Sequence, residues 1–201
     1  MRRTALTRTR VAALGAALLI TAGTAGAAVA HGGGDGGTRT EAREAAALTG
    51  TAKLYRATTE DVTFTFDAHL AAKNNMRPDK ATGTFRFVHL DKPGGKGGWA
   101  EGRIDCLVTG GKVATATGII ERTSPGLMAG AKGGRVGFSV HDLGKHDRLG
   151  YSWAASETGG PDGTKNLTKC NSAAPFEQVK RGTGDFHVVP WKLEYPTGDV
   201  N

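Results

Sequence analysis

The feature that most constrains this chain is an alternation of apolar and polar residues that recurs between residues 48 and 195. Successive side chains of a β-strand point to opposite faces, so a strand with one buried face needs a period of two. The alternation is clearest in segment 62–70, whose apolar side consists of Val62, Phe64, Phe66, Ala68 and Leu70. Comparable segments predict about eight strands, at residues 51–55, 62–70, 82–90, 99–109, 112–121, 135–141, 149–155 and 186–195.

The segments between these strands are rich in turn-forming residues, and 31 of the 201 residues are glycine. Thr109–Lys112 contains a Gly-Gly pair that favours a tight hairpin, and Lys92–Gly98 is a glycine-rich loop. No long helical pattern separates the strands, which argues against the βαβ units of a parallel sheet. The sequence therefore predicts an all-β fold, a single antiparallel β-barrel or β-sandwich domain, and both architectures remain open.

Residues 1–30 have the pattern of a secretory signal peptide. Four arginines and no acidic residue precede an apolar stretch at 11–21, and Ala28-Val29-Ala30 forms an A-x-A cleavage site. This pattern predicts a secreted, extracellular protein that starts at His31 and keeps no membrane anchor after cleavage. General secretion and twin-arginine export both remain open.

The predicted organisation of the chain has four parts. A flexible Gly-rich leader, with a short helix over Glu41–Ala47, connects the signal peptide to the β-domain, and a short tail ends the chain. The four parts are the signal peptide at 1–30, the leader at 31–47, the β-domain at 48–195 and the tail at 196–201.

The charge of the chain argues against a nucleic-acid partner. Removal of the four arginines of the signal peptide lowers the formal net charge from +7 to +3. The remaining lysines and arginines are scattered among acidic residues, whereas a nucleic-acid site needs a clustered basic face. The sequence therefore predicts no nucleic-acid binding.

The two cysteines of the chain are Cys106, in the middle of a predicted strand, and Cys170, near the end of a long loop. A secreted protein folds in an oxidising compartment, where paired cysteines form disulfides. We therefore expect a Cys106–Cys170 disulfide that ties the loop to the sheet, with Cys106 on the apolar side of its strand.

The densest group of titratable residues lies between two predicted strands and contains the candidate ligand-binding residues His141, Asp142, His146, Asp147 and Arg148. Two imidazoles and a carboxylate are ligands for a metal ion, and a His-Asp pair supports acid–base chemistry. The structural alternative is a polar turn whose aspartates accept hydrogen bonds from backbone amides. All three interpretations remain open.

The chain lacks the sequence signatures of common enzymes. It contains no G-x-S-x-G elbow, no H-E-x-x-H motif and no EF-hand calcium loop. The glycine runs at 32–37 and 94–98 lack the strand-to-helix context of a phosphate-binding loop. The sequence thus identifies no catalytic residue and no cofactor, and a metal at the His/Asp segment remains an open alternative.

Four segments carry a resemblance to a known group of proteins: Leu48–Tyr55, Phe64–His69, Gly102–Leu107 and Val140–Tyr151. Through them the chain resembles small secreted actinobacterial proteins that are often labelled "repetin", over most of residues 48–195. The resemblance implies a secreted β-module. It carries over no catalytic residue, and the chain has neither the EF-hand region nor the long repeats of animal repetins.

Together these features predict a secreted, non-catalytic β-domain that binds a small-molecule ligand or a component of the cell envelope. A first alternative is a secreted hydrolase, either metal-assisted or using a His-Asp pair, with its site in segment 141–148. A second alternative is a secreted protease inhibitor that presents the loop at 122–135.

Overall fold

The computed structural model describes residues 44–126, 129–152, 167–172 and 174–192. These residues form nine antiparallel strands in one sheet that curls into a half-barrel, with the spatial order β8-β7-β6-β5-β4-β3-β2-β1-β9. The predicted all-β, antiparallel fold is confirmed. The strands are β1 (Glu44–Lys53), β2 (Asp61–Ala71), β3 (Thr82–Leu90), β4 (Gly97–Gly110), β5 (Val113–Thr123), β6 (Arg135–His141), β7 (Arg148–Tyr151), β8 (Glu177–Gln178) and β9 (Asp185–Val189).

The hydrophobic core fills the inner face of the curled sheet. All five apolar residues of the alternating segment in β2 are buried, as their spacing predicts. Phe138 of β6 lies at the centre of the core, with its ring centroid 5.0 Å from Phe66, 5.0 Å from Phe85 and 6.1 Å from Phe64. Burial of each such side chain stabilises the fold by roughly 1.5–3 kcal/mol. These rings come from β2, β3 and β6, so their packing joins three strands across the inner face.

The first strand begins earlier than the sequence predicts. Glu44–Ala47 was expected within the leader and its short helix, but these residues form the start of β1. An isolated turn or two of helix is marginal in water, whereas Ala46 and Ala47 pair with β2 and are buried. Ala47 also pairs with Val189 of β9, so the strand has neighbours on both sides.

A β-bulge in β4 changes which residues face the core. Ile104 pairs with Gly118 and Cys106 pairs with Thr117, so Asp105 is an extra residue without a partner in β5. The bulge inverts the alternation, because a strand with one extra residue turns the following side chains to the opposite face. Cys106 was therefore wrongly assigned to the apolar side, and the core position next to it belongs to Leu107.

The predicted disulfide between Cys106 and Cys170 is present, with the two Cα atoms 5.3 Å apart. It fastens residues 167–172, the outer strap, to the outer face of the sheet. Arg135 extends this attachment, since its guanidinium donates to Asp105 Oδ2 at 3.0 Å and to the carbonyl of Leu167 at 2.8 Å. The strap packs so closely that a Cβ on Gly137 would lie 2.3 Å from the carbonyl oxygen of Asn171.

Four further sequence predictions differ from the structure or lie outside it, wholly or in part. The strand predicted at 149–155 ends at Tyr151, and residues 153–166 lie outside the described residues. The predicted signal peptide at 1–30, residues 31–43 of the leader and the tail at 196–201 lie outside them too. Among the described residues, no helix has the length and apolar character needed to cross a membrane.

Candidate functional site

The five residues predicted as ligand-binding candidates lie at the connection between β6 and β7. His141 is the last residue of β6 and Arg148 is the first residue of β7, and the two pair across the strands. Between them Gly144–His146 forms a single 3-10 turn. The chain reverses tightly here, so the two His-Asp pairs are brought to one corner of the sheet.

Asp142 is buried and holds three groups in place. Its Oδ2 atom accepts hydrogen bonds from Lys112 Nζ at 2.9 Å and from the backbone amide of Val188 at 3.1 Å. Its Oδ1 atom accepts a longer bond, 3.4 Å, from the amide of Gly144. Burial opposes ionisation of this carboxyl, but Lys112 and the two amides outweigh that effect and lower the pKa of Asp142.

Asp147 is only 1% exposed and accepts two short hydrogen bonds from the backbone. The amide of Leu143 donates to Oδ1 at 2.7 Å, and the amide of Phe186 donates to Oδ2 at 2.7 Å. Burial raises the pKa of Asp147 despite these bonds, and the neighbouring carboxyl of Asp185 raises it further. The two aspartates of the turn therefore have pKa values shifted in opposite directions.

The two carboxyl groups connect the two ends of the sheet. Phe186 and Val188 belong to β9, which pairs only with β1, so their amides lie on the free edge of that strand. Asp147 and Asp142 occupy this edge from the opposite end of the sheet. The backbone reinforces the closure at Val179, whose amide donates to the carbonyl of Asp147 at 2.9 Å. The arrangement matches the polar turn that was one of the three predicted interpretations.

The histidines near this turn have separate neighbours. The ring of His141 lies 6.3 Å from that of Phe176, and His146 Nδ1 lies 3.3 Å from a guanidinium nitrogen of Arg181. His187 of β9 also lies close to this turn, with Nδ1 3.9 Å from Asp142 Oδ2. Within the part of the chain that the structure describes, no three His, Cys, Asp or Glu residues are grouped so that they could hold a metal ion.

Beside the turn, four cationic side chains and one histidine come together from two separate segments. Lys145, His146 and Arg148 come from the β6–β7 connection, and Lys180 and Arg181 follow β8. All five are exposed and line a cleft with two adjoining lobes.

The first lobe has a volume of about 480 Å³ and the second about 330 Å³. Both lobes are lined by His146, Val179, Lys180 and Arg181. The first is further lined by Tyr55, Asp147, Arg148 and Gln178, and the second by Lys145, Gly182, Gly184 and Asp185. Each volume falls within the range of small-molecule sites.

The cleft brings together cations that have no carboxylate partner. Several cations elsewhere on the described surface are paired, as Arg103 is with Glu121 at 3.2 Å and Lys53 with Asp61 at 2.7 Å. Considering the described residues alone, no carboxylate forms an ion pair with the four permanently charged side chains of the cleft, which are Lys145, Arg148, Lys180 and Arg181. Such a concentration of unpaired positive charge attracts anions.

Sequence reasoning identified His146, Asp147 and Arg148 but missed Lys145, Lys180 and Arg181. The only local signal for the last two was a single Lys-Arg pair, and nothing in the sequence links it to the β6–β7 connection. The link arises because β8 pairs with β7, with Gln178 opposite Arg148. A two-residue strand is too short to show a period of two.

The loop predicted as an inhibitory loop, at 122–135, is tied to the sheet near both ends. The amide of Ser124 donates to the carbonyl of Trp99 at 2.9 Å, and the amide of Gly133 donates to that of Ile120 at 2.8 Å. Ala131 is 2% exposed and packs in the core. Residues 127 and 128 lie outside the described residues.

No protein-family model, no curated protein and no solved structure matches this chain. The resemblance to the repetin-labelled proteins therefore stays a prediction, and the candidate function depends on the geometry and charge of the cleft.

Proposed function

We propose that this protein is a secreted, non-catalytic binding domain that holds an anionic component of the cell envelope in its two-lobed cationic cleft. The observation that carries the proposal is the convergence of Lys145, Arg148, Lys180 and Arg181 without carboxylate partners among the described residues. Guanidinium and ammonium groups bind phosphate and carboxylate through charge-assisted hydrogen bonds, which are about twice as strong as neutral ones.

The backbone that carries these cations is held firmly, which favours binding. Val179 bridges to Leu54 of the neighbouring chain segment, and its amide is bonded to Asp147. Asp147 in turn fixes the β6–β7 connection from within. A site whose backbone is already ordered loses less conformational freedom when it takes up its ligand.

The alternative of a hydrolase in segment 141–148 has weaker support. A general base needs a free lone pair and a partner that orients it. Asp142 and Asp147 are already bonded to backbone amides, and His141 and His146 have different neighbours. In the binding function, Arg148 and His146 act together with Lys180 and Arg181, which follow β8 and line the same cleft.

The proposal is tested by titrating the mature protein with pyrophosphate at low ionic strength and following heat or amide chemical shifts. The variant Arg148→Gln/Arg181→Gln should bind at least about a hundredfold more weakly, because it removes two charge-assisted hydrogen bonds that contribute roughly 1.5–3 kcal/mol each. The matched control is Lys73→Gln/Lys80→Gln, which removes the same charge from two exposed lysines outside the cleft. Absence of binding by the unmodified protein, or an equal loss in the control, would contradict the proposal.

A further inference from the structure

The two lobes of the cleft share their central cations but differ at their outer ends. Lys180 and Arg181 line both lobes, whereas Arg148 lines only the first and Lys145 only the second. A single small anion satisfies one lobe and leaves the other without a counter-charge. The distribution of cations thus suits a ligand that carries more than one negative group along its length.

Each lobe also contains a group that recognises hydroxyls. Tyr55 and Gln178 line the first lobe, and the exposed carboxylate of Asp185 lines the second. A carboxylate repels a bare anion, but it accepts hydrogen bonds from the hydroxyl groups of a polyol. The ligand that fits both observations has negative groups separated by hydroxylated units.

From these two observations we infer that the cleft binds a linear polyol-phosphate chain, with consecutive phosphodiesters in the two lobes and the intervening hydroxyls directed at Asp185, Tyr55 and Gln178. The inference rests on the proposed anion-binding function and adds the chemical class of the ligand. A chain of this kind suits a secreted protein, because polyol phosphates are polymers of the cell surface and not of its interior.

Two other polyanions fit the cleft less well. Proteins that bind single-stranded nucleic acid present a series of aromatic side chains on which bases stack, whereas among the described lining residues Tyr55 is the single Phe, Tyr or Trp. A polycarboxylate such as polyglutamate offers no hydroxyl to Asp185. Both polymers are therefore comparison ligands in the experiment.

The experiment measures the affinity of the mature protein for glycerol 1-phosphate and for poly(glycerol phosphate) oligomers of increasing length. Occupation of the second lobe becomes intramolecular once the first is filled, so the oligomers should bind about a hundredfold more tightly than the monomer. Polyglutamate and oligo(dT) of equal charge should bind at least about tenfold more weakly than the oligomer.

Variants locate the two phosphates. Arg148→Gln and Lys145→Gln each remove a cation from one lobe, so each should abolish most of the gain with length while monomer binding survives in the other lobe. Asp185→Ala should weaken binding of poly(glycerol phosphate) and strengthen binding of pyrophosphate, because it removes both the hydroxyl acceptor and the repulsion. Thermal unfolding of each variant verifies that it is folded.

The outcomes separate this inference from the proposed function. Binding of pyrophosphate without any gain for longer poly(glycerol phosphate) would overturn the inference and leave the anion site intact. Equal or tighter binding of polyglutamate or oligo(dT) would overturn the assignment to polyol phosphates. If no anion binds, both the inference and the proposed function are wrong.

Discussion

Replacement of Asp147 by alanine tests whether its carboxyl group closes the sheet. The side chain is 1% exposed and accepts hydrogen bonds from the amides of Leu143 and Phe186, both at 2.7 Å. Alanine leaves both donors without a partner. A buried donor that loses its acceptor costs about 1–3 kcal/mol, and water cannot readily reach the buried amide of Phe186.

The expected loss is about 2–4 kcal/mol, below the sum of two full penalties for two reasons. The amide of Leu143 is only partly buried, so solvent replaces some of its bond. Burial and the nearby carboxyl of Asp185 raise the pKa of Asp147, which means that its charge is unfavourable in the folded state and its removal gives some stability back. For a chain of this size the loss corresponds to a fall in Tm of roughly 5–15 °C.

The assay is urea unfolding at neutral pH, followed by tryptophan fluorescence. Asp91→Ala is the matched control, since Asp91 also accepts a backbone amide in a turn, from Lys96 at 2.8 Å, but is exposed. That control, together with His141→Ala and His146→Ala, should change the free energy of unfolding by less than about 0.5–1 kcal/mol. If Asp147→Ala loses no more than Asp91→Ala, the carboxyl does not hold the two ends of the sheet together.

Four further predictions follow, three on the β-domain and one on the signal peptide. Burial and Asp185 raise the pKa of Asp147, so the folded protein binds a proton there more tightly than the unfolded chain does. The contribution of Asp147 to the free energy of unfolding therefore decreases as pH rises above about 4. Asp147→Asn should remove this decrease. Asp142 has a lowered pKa despite its burial, so its contribution to the free energy of unfolding is lost as pH drops below about 4. Asp142→Asn should remove this loss. Urea unfolding across a pH series measures the effects of both the Asp147 and the Asp142 variants. Replacement of both cysteines by alanine should cost about 4 kcal/mol, because the disulfide closes a loop over a separation of 64 residues; equal stability of the reduced and oxidised proteins would contradict this. Intact-mass analysis of secreted material should give a chain that starts at His31, and a secreted form that retains Met1 would refute the signal-peptide prediction.

The inward-facing residues of a strand were predictable where one face of the strand is buried and the other is exposed. The alternation in β2 and β6 assigned the core residues Phe64, Phe66 and Phe138 correctly, because packing allows only one phase of a two-residue period. The alternation assigned the wrong face to the residues after Asp105, because no sequence pattern there indicates a bulge. It failed as well for Glu44–Ala47, since an alanine-rich segment suits a helix locally and becomes a strand only through pairing with β2 and β9.

The candidate site was predictable only in part, for a reason that lies in how the sheet closes. Arg148 and His146 belong to one local cluster, which composition alone reveals. Lys180 and Arg181 lie more than thirty residues further along the chain, and they join the cluster because the segment after β8 crosses from β7 to the end of β1. Contacts that depend on such a crossing carry no local periodicity.

The same chain segment therefore closes the sheet and forms one wall of the cleft. The chain from Gln178 to Val189 pairs first with β7, then bridges at Val179 to Leu54, and returns as β9 beside β1. The backbone of this segment is bonded to its neighbours, for example from the amide of Lys180 to the carbonyl of Lys53 at 2.8 Å, and the side chains of Lys180 and Arg181 line the cleft. Because the closure depends on backbone amides and on the carboxyls of Asp142 and Asp147, we expect substitutions of the cleft cations to leave the fold intact. In the proposed binding domain, changes at Lys145, Arg148, Lys180 and Arg181 would then alter the affinity for anions, while the same two aspartates continue to hold the sheet together.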